Sequence, residues 1–278
     1  MTVLETLTAA AGYLDKRGVE SSRLNAEHLL AHVLGKKRLD LYMEFDRPLS
    51  EAERAPLRDL IRDRGAGKPL QHLLGTAEFF GRSFLCDARA LIPRPETEQL
   101  IELILQSKAQ HQGSKVLDVG TGSGVIAITL ALELPGVSVS ATDLCAKALT
   151  LALENASRHS LVETLTFSET DLFPEDGARF DLIVANLPYI ASDDLAALQR
   201  EVLRDPFSAL DGGPDGLAII ERLILKAPER LNSGGTLALE IGHDQAARVS
   251  EILARHGFEK IAVHRDYQEV ERFVVASR

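Results

Sequence analysis

The alternation of two kinds of segment from Lys115 onward constrains the fold of this chain more than any other feature. Short apolar runs rich in β-branched residues predict strands over 116–119, 137–142, 164–168, 180–185, 236–241 and 259–263. The amphipathic stretches between them predict helices over 123–134, 145–159, 214–231 and 244–256. Strands that alternate with helices form a parallel sheet covered on both faces, so the expected class is α/β. The last run, 270–276, follows a connector too short for a helical crossover, and it should therefore pair antiparallel.

The first 67 residues carry helical spacing instead, without strand-like alternation. Apolar residues repeat every three or four positions in two runs, and each run stops at a glycine, Gly18 or Gly35. A third helix is predicted to begin after Ser50, because Ser50 and Glu53 match a capping box, and to end near residues 65–67. We therefore expect a small helical bundle as an N-terminal domain over residues 1–75.

A β-hairpin is predicted between the two regions. Residues 78–85 place apolar groups on either side of a glycine turn. Pro95 suits the first position of a following helix, with acidic residues at the positive end of the helix dipole. We expect a hairpin linker over 76–95 and the sheet-containing domain over 96–278.

Charge and composition exclude several classes of protein. No stretch approaches the ~20 consecutive apolar residues of a membrane span, and the chain begins without the basic lead of a signal peptide, so we expect a cytoplasmic protein. Neither the two cysteines nor the histidines cluster as metal ligands, and we expect no metal. Residues 76–278 hold 19 Lys and Arg against 30 Asp and Glu. Because nucleic-acid affinity comes mostly from cationic side chains, this balance argues against direct nucleic-acid binding and favours a protein partner with a basic surface.

A glycine-rich loop follows the strand at 116–119. Glycines at alternate positions let backbone amides and a helix N-terminus approach a cofactor without obstruction from Cβ atoms. The residues expected to seat the cofactor here are Asp118, Gly120, Thr121, Gly122, Ser123 and Gly124. A dinucleotide-binding loop would carry its third glycine one residue later, so nicotinamide binding is the weaker interpretation. The alternative is a βα turn that binds nothing.

Acidic residues end two further strand regions. Asp143 closes the strand at 137–142, where a carboxylate accepts hydrogen bonds from ribose hydroxyls, although it would also suit a helix N-cap. Asp171 could accept a hydrogen bond from an adenine amino group while Leu172 packs on the ring. A plain loop explains Asp171 and Leu172 equally well.

The tetrapeptide Asn186-Leu187-Pro188-Tyr189 follows the strand at 180–185. An amide nitrogen is a poor nucleophile because its lone pair is delocalised, so a site that alkylates it must hold both amide hydrogens. The Asn186 side-chain oxygen can accept one hydrogen and the Leu187 carbonyl the other, while Tyr189 stacks on the planar group. Pro188 stiffens the turn. The tetrapeptide therefore indicates methyl transfer to nitrogen, and the alternative is an ordinary β-turn.

With these motifs the chain resembles the release factor glutamine methyltransferases (the PrmC/HemK family) over nearly its whole length. The motifs occur in the family's order: IPRPETE at 92–98, DVGTGSG at 118–124, NLPY at 186–189, DGGPDGL at 211–217, then Arg265, Asp266 and Arg272. The resemblance implies a Rossmann-like class I methyltransferase sheet that uses S-adenosyl-L-methionine and releases S-adenosyl-L-homocysteine. It implies N5-methylation of the glutamine in the Gly-Gly-Gln motif of class 1 peptide-chain release factors, with the helical domain recognising the release factor.

The sequence departs from the family pattern at two positions. Leu187 replaces a common proline but retains the carbonyl, so we expect activity to survive. Leu172 stands where some relatives carry an aromatic residue. Three alternatives remain open: glutamine methylation of a large-subunit ribosomal protein, adenine-N6 methylation of DNA, which the acidic balance disfavours, and a non-catalytic module that docks on release factors or ribosomes.

Overall fold

The computed structural model of the chain describes residues 1–106 and 113–278. The chain divides into two units. One comprises Met1–Thr76 with Gln199–Arg204, and the other comprises Ala77–Leu198 with Asp205–Arg278. The hairpin expected as a linker over 76–95 thus belongs almost entirely to the larger unit.

The smaller unit is helical, as its spacing predicts. Its helices are α1 (Val3–Asp15), α2 (Ser22–Leu34), α3 (Glu51–Gly65) and α4 (Leu70–Leu74), with a 3₁₀ helix at Arg38–Met43. The predicted capping box at Ser50 is confirmed, since its side chain accepts from Glu53 N and Glu53 accepts from Ser50 N. A second box at Thr2 and Glu5 starts α1. The buried leucines of these helices form one hydrophobic core.

The segment Gln199–Arg204 packs on α3. No sequence pattern predicts that this segment belongs to the smaller unit. The guanidinium of the buried Arg64 donates to Glu201 Oε1 at 2.6 Å and to Asn25 Oδ1 at 2.7 Å. No local sequence pattern predicts this contact, because Arg64 and Glu201 are 137 positions apart.

The larger unit begins with the predicted hairpin, β1 (Thr76–Phe79) and β2 (Arg82–Leu85), which forms its own two-stranded sheet. The helices that follow are α5 (Pro95–Gln106), α6 (Val125–Glu133), α7 (Ala146–Arg158), α8 (Ala218–Arg230) and α9 (Ala246–Arg255). The strands are β3 (Lys115–Val119), β4 (Ser138–Asp143), β5 (Leu165–Glu169), β6 (Phe180–Asn186), β7 (Leu231–Glu240), β8 (Glu259–Arg265) and β9 (Glu271–Ser277).

These seven strands form one sheet in the order β5-β4-β3-β6-β7-β9-β8. All neighbours up to β7 pair in parallel, whereas β9 pairs antiparallel with both β7 and β8. The predicted antiparallel last strand is confirmed, and it lies between β7 and β8 rather than at the edge.

The central strands β3 and β6 are buried on both faces, whereas the edge strand β8 is mostly exposed. Successive side chains of a strand point to opposite faces, so each central strand contributes to two cores. Leu117 and Ile183 belong to a core that α8 and α9 cover, whereas Val116 and Leu182 belong to a second core with α5 and α6. This agrees with the doubly covered sheet that the alternation of segments predicts.

The predicted helix over 214–231 begins later, at Ala218. The residues before it form a turn: Gly212 N donates to Ile190 O, and Gly213 and Gly216 have positive φ. A Cβ on Gly216 would lie 2.3 Å from the carbonyl oxygen of Tyr189. The DGGPDGL run is therefore a close-packed loop beside the tetrapeptide, not the first turn of a helix.

Candidate active site

A cavity of about 440 Å³ lies in the larger unit at the carboxyl ends of β3, β4 and β6. Neighbouring strands of a parallel sheet deliver their following loops to one edge, where ligands of open α/β sheets bind. The predicted site residues that line the cavity are Gly120, Thr121, Gly122, Ser123, Asp143, Asp171, Leu172, Asn186, Leu187 and Pro188. Three predicted residues do not line it: Asp118, Gly124 and Tyr189.

The glycine loop uses backbone conformations that favour glycine. The φ angles of Gly120, Gly122 and Gly124 are +70°, +57° and +84°. A Cβ on Gly120 would lie 2.8 Å from Leu187 Cδ2, so the loop touches the tetrapeptide directly. Gly124 instead packs against α7, since its Cβ would lie 3.1 Å from that of Ala152. Gly124 thus shapes the loop without facing the cavity.

Asp118 lies behind the glycine loop, fully buried, and not in contact with the cavity. Its Oδ2 accepts from Thr121 Oγ1 at 2.6 Å and from Ala127 N at 3.1 Å, so it fastens the loop to the start of α6. Its Oδ1 has no partner in the described part of the chain. Burial raises the pKa of this carboxyl to about 7. We assign Asp118 to holding the loop rather than to direct contact with a cofactor.

Asp143 lies at the end of β4 and lines the cavity. Its two oxygens accept from Gly122 N at 2.9 Å and from Cys145 N at 2.8 Å. The N-cap of α7 is Cys145, so Asp143 is not the helix cap that the sequence also permitted. Burial raises the pKa of Asp143 from its ordinary value. Each oxygen keeps a further lone pair with which it can accept a hydroxyl.

Asp171 and Leu172 both line the cavity. Asp171 is exposed and pairs with Arg222, which also lines the cavity. Leu172 is buried at a φ of +72°, a conformation that is uncommon outside glycine, and its carbonyl accepts from Thr142 Oγ1 at 2.8 Å. The hydrogen bond from Thr142 therefore fixes the backbone of Leu172 at the edge of the cavity.

Asn186 ends β6 with its side chain held by α5. Its Nδ2 donates to Thr97 Oγ1 at 3.0 Å. Leu187 is buried beside Gly120, whereas Tyr189 is half-buried against the core under α8 and α9. The Tyr189 carbonyl accepts from Gln245 Nε2 at 2.9 Å. Burial raises the pKa of the Tyr189 phenol to about 12, so it stays neutral.

Several residues that line the cavity were not among the predicted site residues. They come mainly from the segment before α5 and from the loop before α8, and include Arg89, Arg94, Thr97, Pro206, Ser208 and Ala209. Arg94 donates to the buried Asp205 at 2.7 Å, and burial raises the pKa of Asp205 to about 6. The IPRPETE motif at 92–98 marked the first segment, but no local signal marked the second.

These groups fit S-adenosyl-L-methionine. The glycine loop lines the cavity with no Cβ atom at Gly120 or Gly122, and Asp143 offers acceptors for a ribose. In the described residues no group of three or more His, Cys, Asp or Glu side chains could hold a metal ion. None of the described helices combines the length and apolar character needed to cross a membrane.

Two protein-family models match the chain. The model described as PrmC N-terminal domain covers residues 5–75, and the one described as methyltransferase small domain covers residues 96–275. The two matches coincide with the helical region and with the region that holds most of the sheet and the cavity.

Several relatives that match over nearly the whole chain share one name. A release factor glutamine methyltransferase from Geobacter sulfurreducens is 43% identical over 98% of this chain and 95% of its own length. Another from Chlorobaculum tepidum is 40% identical with the same coverage of both chains. Among solved structures, a Thermus thermophilus 16S rRNA methyltransferase in complex with AdoMet and guanosine matches with a TM-score of 0.53. It is 19% identical, covers 73% of this chain and 49% of its own, and shows the fold alone.

Proposed function

We propose a specific reaction from the premise that this chain belongs to the release factor glutamine methyltransferase family. The protein is an S-adenosyl-L-methionine-dependent methyltransferase that acts on a glutamine of release factors. The product is N5-methylglutamine in the Gly-Gly-Gln motif of class 1 peptide-chain release factors, and the second product is S-adenosyl-L-homocysteine.

The cofactor is held at the glycine loop. The backbone of Gly120–Gly122 approaches it closely, Asp143 accepts hydrogen bonds from its ribose, and Leu172 packs on its adenine. Asp171 accepts a hydrogen bond from the adenine amino group. When bound, S-adenosyl-L-methionine supplies a methyl group activated by its sulfonium centre. Asp118 acts one layer further back, by holding Thr121 and the start of α6 in place.

The tetrapeptide holds the substrate amide. Asn186 Oδ1 and the Leu187 carbonyl each accept one amide hydrogen, and both residues line the same cavity as the glycine loop. Fixing the amide in this orientation supplies proximity, which can lower a barrier by ~7–11 kcal/mol in favourable cases. Pro188 stiffens the segment. Tyr189 does not line the cavity, so its stacking on the substrate would occur beyond the described cavity wall.

The observation that carries this proposal is the hydrogen bond that turns the Asn186 amide nitrogen toward Thr97. The side-chain oxygen is then the end of the amide left for the cavity, which Asn186 lines. An acceptor facing the cavity is what an incoming N–H donor requires.

A tritium-transfer assay tests the proposal. The purified protein, methyl-labelled S-adenosyl-L-methionine and a class 1 release factor should give a labelled release factor, with one added methyl group on the peptide that contains Gly-Gly-Gln. A release factor in which that glutamine is replaced by glutamate should stay unlabelled. Large-subunit ribosomal proteins, assayed in parallel, test the sister activity. Label that appears only on a ribosomal protein, or on no substrate, would contradict the proposal.

The Asn186→Ala variant tests the assigned role within the same assay. We expect turnover to fall ~100-fold or more, the scale of loss when one pre-organised hydrogen-bonding group is removed from an active site. The affinity for S-adenosyl-L-homocysteine, measured by calorimetry, should stay close to that of the wild type. A variant that methylates the release factor at the wild-type rate would show that Asn186 does not hold the amide.

A further inference from the structure

A second hydrogen bond extends the contact between Asn186 and α5 into the sheet. Thr97 Oγ1 lies 2.7 Å from Glu240 Oε2, and Glu240 ends β7 directly opposite Asn186 in the parallel register. Thr97 is 3% exposed and Glu240 is 1% exposed. The three side chains come from α5, β6 and β7, and they form a chain that runs from the cavity to a buried carboxyl.

The direction of this chain follows from what each group can give. An ionised carboxylate only accepts, so the single hydroxyl hydrogen of Thr97 must point to Glu240. The lone pairs of Thr97 Oγ1 then accept, and the only group of Asn186 that donates is its amide nitrogen. A buried carboxylate therefore decides which end of the Asn186 amide faces the cavity.

Resting on the function proposed above, we propose that Thr97 and Glu240 are positioning residues. They hold the Asn186 amide nitrogen toward the sheet so that Oδ1 faces the cavity and accepts a hydrogen from the substrate glutamine. With the amide reversed, the Asn186 nitrogen would face the nitrogen of the substrate, and two donors would meet.

The surroundings of Glu240 agree with this role. The charged and titratable groups that act on it are Glu96 from α5, Arg272 from β9 and Tyr189 from the loop after β6. Burial is the largest influence and raises the pKa of Glu240 to about 7, while Thr97, Arg272 and Asn186 lower it.

The contact between Glu240 and Thr97 should make turnover depend on pH. Protonated Glu240 can donate to Thr97, which frees the Thr97 hydrogen to point to Asn186 and permits the reversed amide. Turnover should therefore rise with pH through the pKa of Glu240 and reach a plateau above it.

The test compares kcat of four variants on a release factor between pH 5.5 and 8.5. This range extends roughly 1.5 pH units on either side of the pKa of Glu240. Thr97→Val removes the hydroxyl and should lower kcat roughly 10- to 100-fold, with a much smaller change in KM for the release factor. Thr97→Ser restores the hydroxyl and should recover most of the lost turnover. Glu240→Gln cannot ionise, and its kcat profile should lose the inflection near pH 7.

Thr129→Val is the matched control. Thr129 is also a buried threonine, but its hydroxyl has no partner among the described residues, and Thr129 does not line the cavity. Its kcat and pH profile should match those of the wild type. Melting temperature and the affinity for S-adenosyl-L-homocysteine identify any variant that loses activity by misfolding.

A readout independent of turnover is the nuclear magnetic resonance signal of the Asn186 side-chain amide, assigned by its loss in Asn186→Ala. Its protons should be protected from exchange in the wild type and in Thr97→Ser, and less protected in Thr97→Val, where only Glu240 is left to accept from the Asn186 amide. If Thr97→Val does not fold, the comparison of the kcat–pH profiles of Glu240→Gln and the wild type tests the inference.

Two results would overturn the inference: wild-type kcat with an unchanged pH profile in Thr97→Val, or a retained inflection in Glu240→Gln. A wild type that methylates no release factor would instead contradict the proposed function. In that case the Asn186 amide signal still tests the hydrogen-bond arrangement.

Discussion

At the scale of single residues, Gly120 joins the two halves of the site. It combines a φ of +70° with a position where a Cβ would lie 2.8 Å from Leu187 Cδ2. Left-handed backbone costs an alanine about 1–2 kcal/mol, and the overlap adds to that cost. Because the Leu187 side chain must shift to admit that Cβ, a change in the cofactor loop also affects a residue of the proposed substrate site.

We therefore predict that Gly120→Ala lowers both the affinity for S-adenosyl-L-homocysteine, by about 10-fold or more, and the melting temperature. Gly136→Ala is the control, since Gly136 has a φ of +71° but no atom within 4 Å of its Cβ position. It carries the backbone cost without the overlap. Calorimetry and thermal unfolding measure both effects, and equal binding by the two variants would show that the contact with Leu187 is unimportant.

The residues at the ends of strands could be predicted from the sequence, whereas their supports could not. Asp143 and Asn186 each follow a recognisable apolar run, and parallel topology alone brings them to one edge. Thr97 and Glu240 support Asn186 from positions 89 and 54 residues away along the chain, as the numbering shows. No local pattern reveals such a contact, because it depends on how α5 and β7 pack.

At the scale of elements, the capping boxes at the starts of α1 and α3 are visible in the sequence. Ser50 accepts from Glu53 N, whereas Ser21, the N-cap of α2, makes no side-chain cap hydrogen bond. The Ser50 hydrogen bond stabilises the start of α3, whereas replacing Ser21 removes no side-chain cap hydrogen bond from α2.

We predict that Ser50→Ala lowers the free energy of unfolding by about 1 kcal/mol, while Ser21→Ala changes it little. Urea unfolding followed by circular dichroism measures the difference. An equal loss in both variants would mean that the Ser50 hydroxyl does not stabilise the start of α3.

The segment Gln199–Arg204 shows what element prediction misses. It carries no strong periodicity, yet Glu201 pairs with Arg64, whose side chain is 4% exposed. A cation that is nearly buried needs a partner, which explains why this short stretch belongs to the helical unit.

We predict that Glu201→Ala destabilises the helical unit by on the order of 1 kcal/mol, because Glu201 is 39% exposed and solvent weakens the pair. Glu251→Ala removes the partner of Arg255 from a pair in which both side chains are more than half exposed, and should cost almost nothing. Urea unfolding compares the two. Similar small losses would indicate that Asn25 and the Lys68 carbonyl suffice to hold Arg64.

At the scale of the whole molecule, the sheet was predictable in class and strand direction but not in order. Alternating segments predict parallel strands, and the short connector before β9 predicts one antiparallel strand. Its insertion between β7 and β8 depends on which edge offers free backbone groups, and that is decided by the assembled sheet.

Buried carboxyls in the larger unit make the stability of the protein depend on pH. Burial raises the pKa values of Asp118 and Glu240 to about 7 and that of Asp205 to about 6. The folded state therefore holds protons that the unfolded chain releases from about pH 4 upward. The stability linked to these protons is fully present below the unfolded pKa values and is lost as pH rises through the folded ones.

Comparison of the wild type with Glu240→Gln isolates one of these groups. Glutamine does not titrate, so the variant should lose less stability than the wild type between pH 5 and pH 8, by on the order of 2 kcal/mol. Glu251→Gln, at an exposed position, should follow the wild type. Urea unfolding at each pH gives the free energies. Parallel profiles for the wild type and Glu240→Gln would show that Glu240 is already ionised at pH 5. The carboxylate would then fix the Asn186 amide throughout the pH range. In that case the pH dependence expected for turnover would be absent.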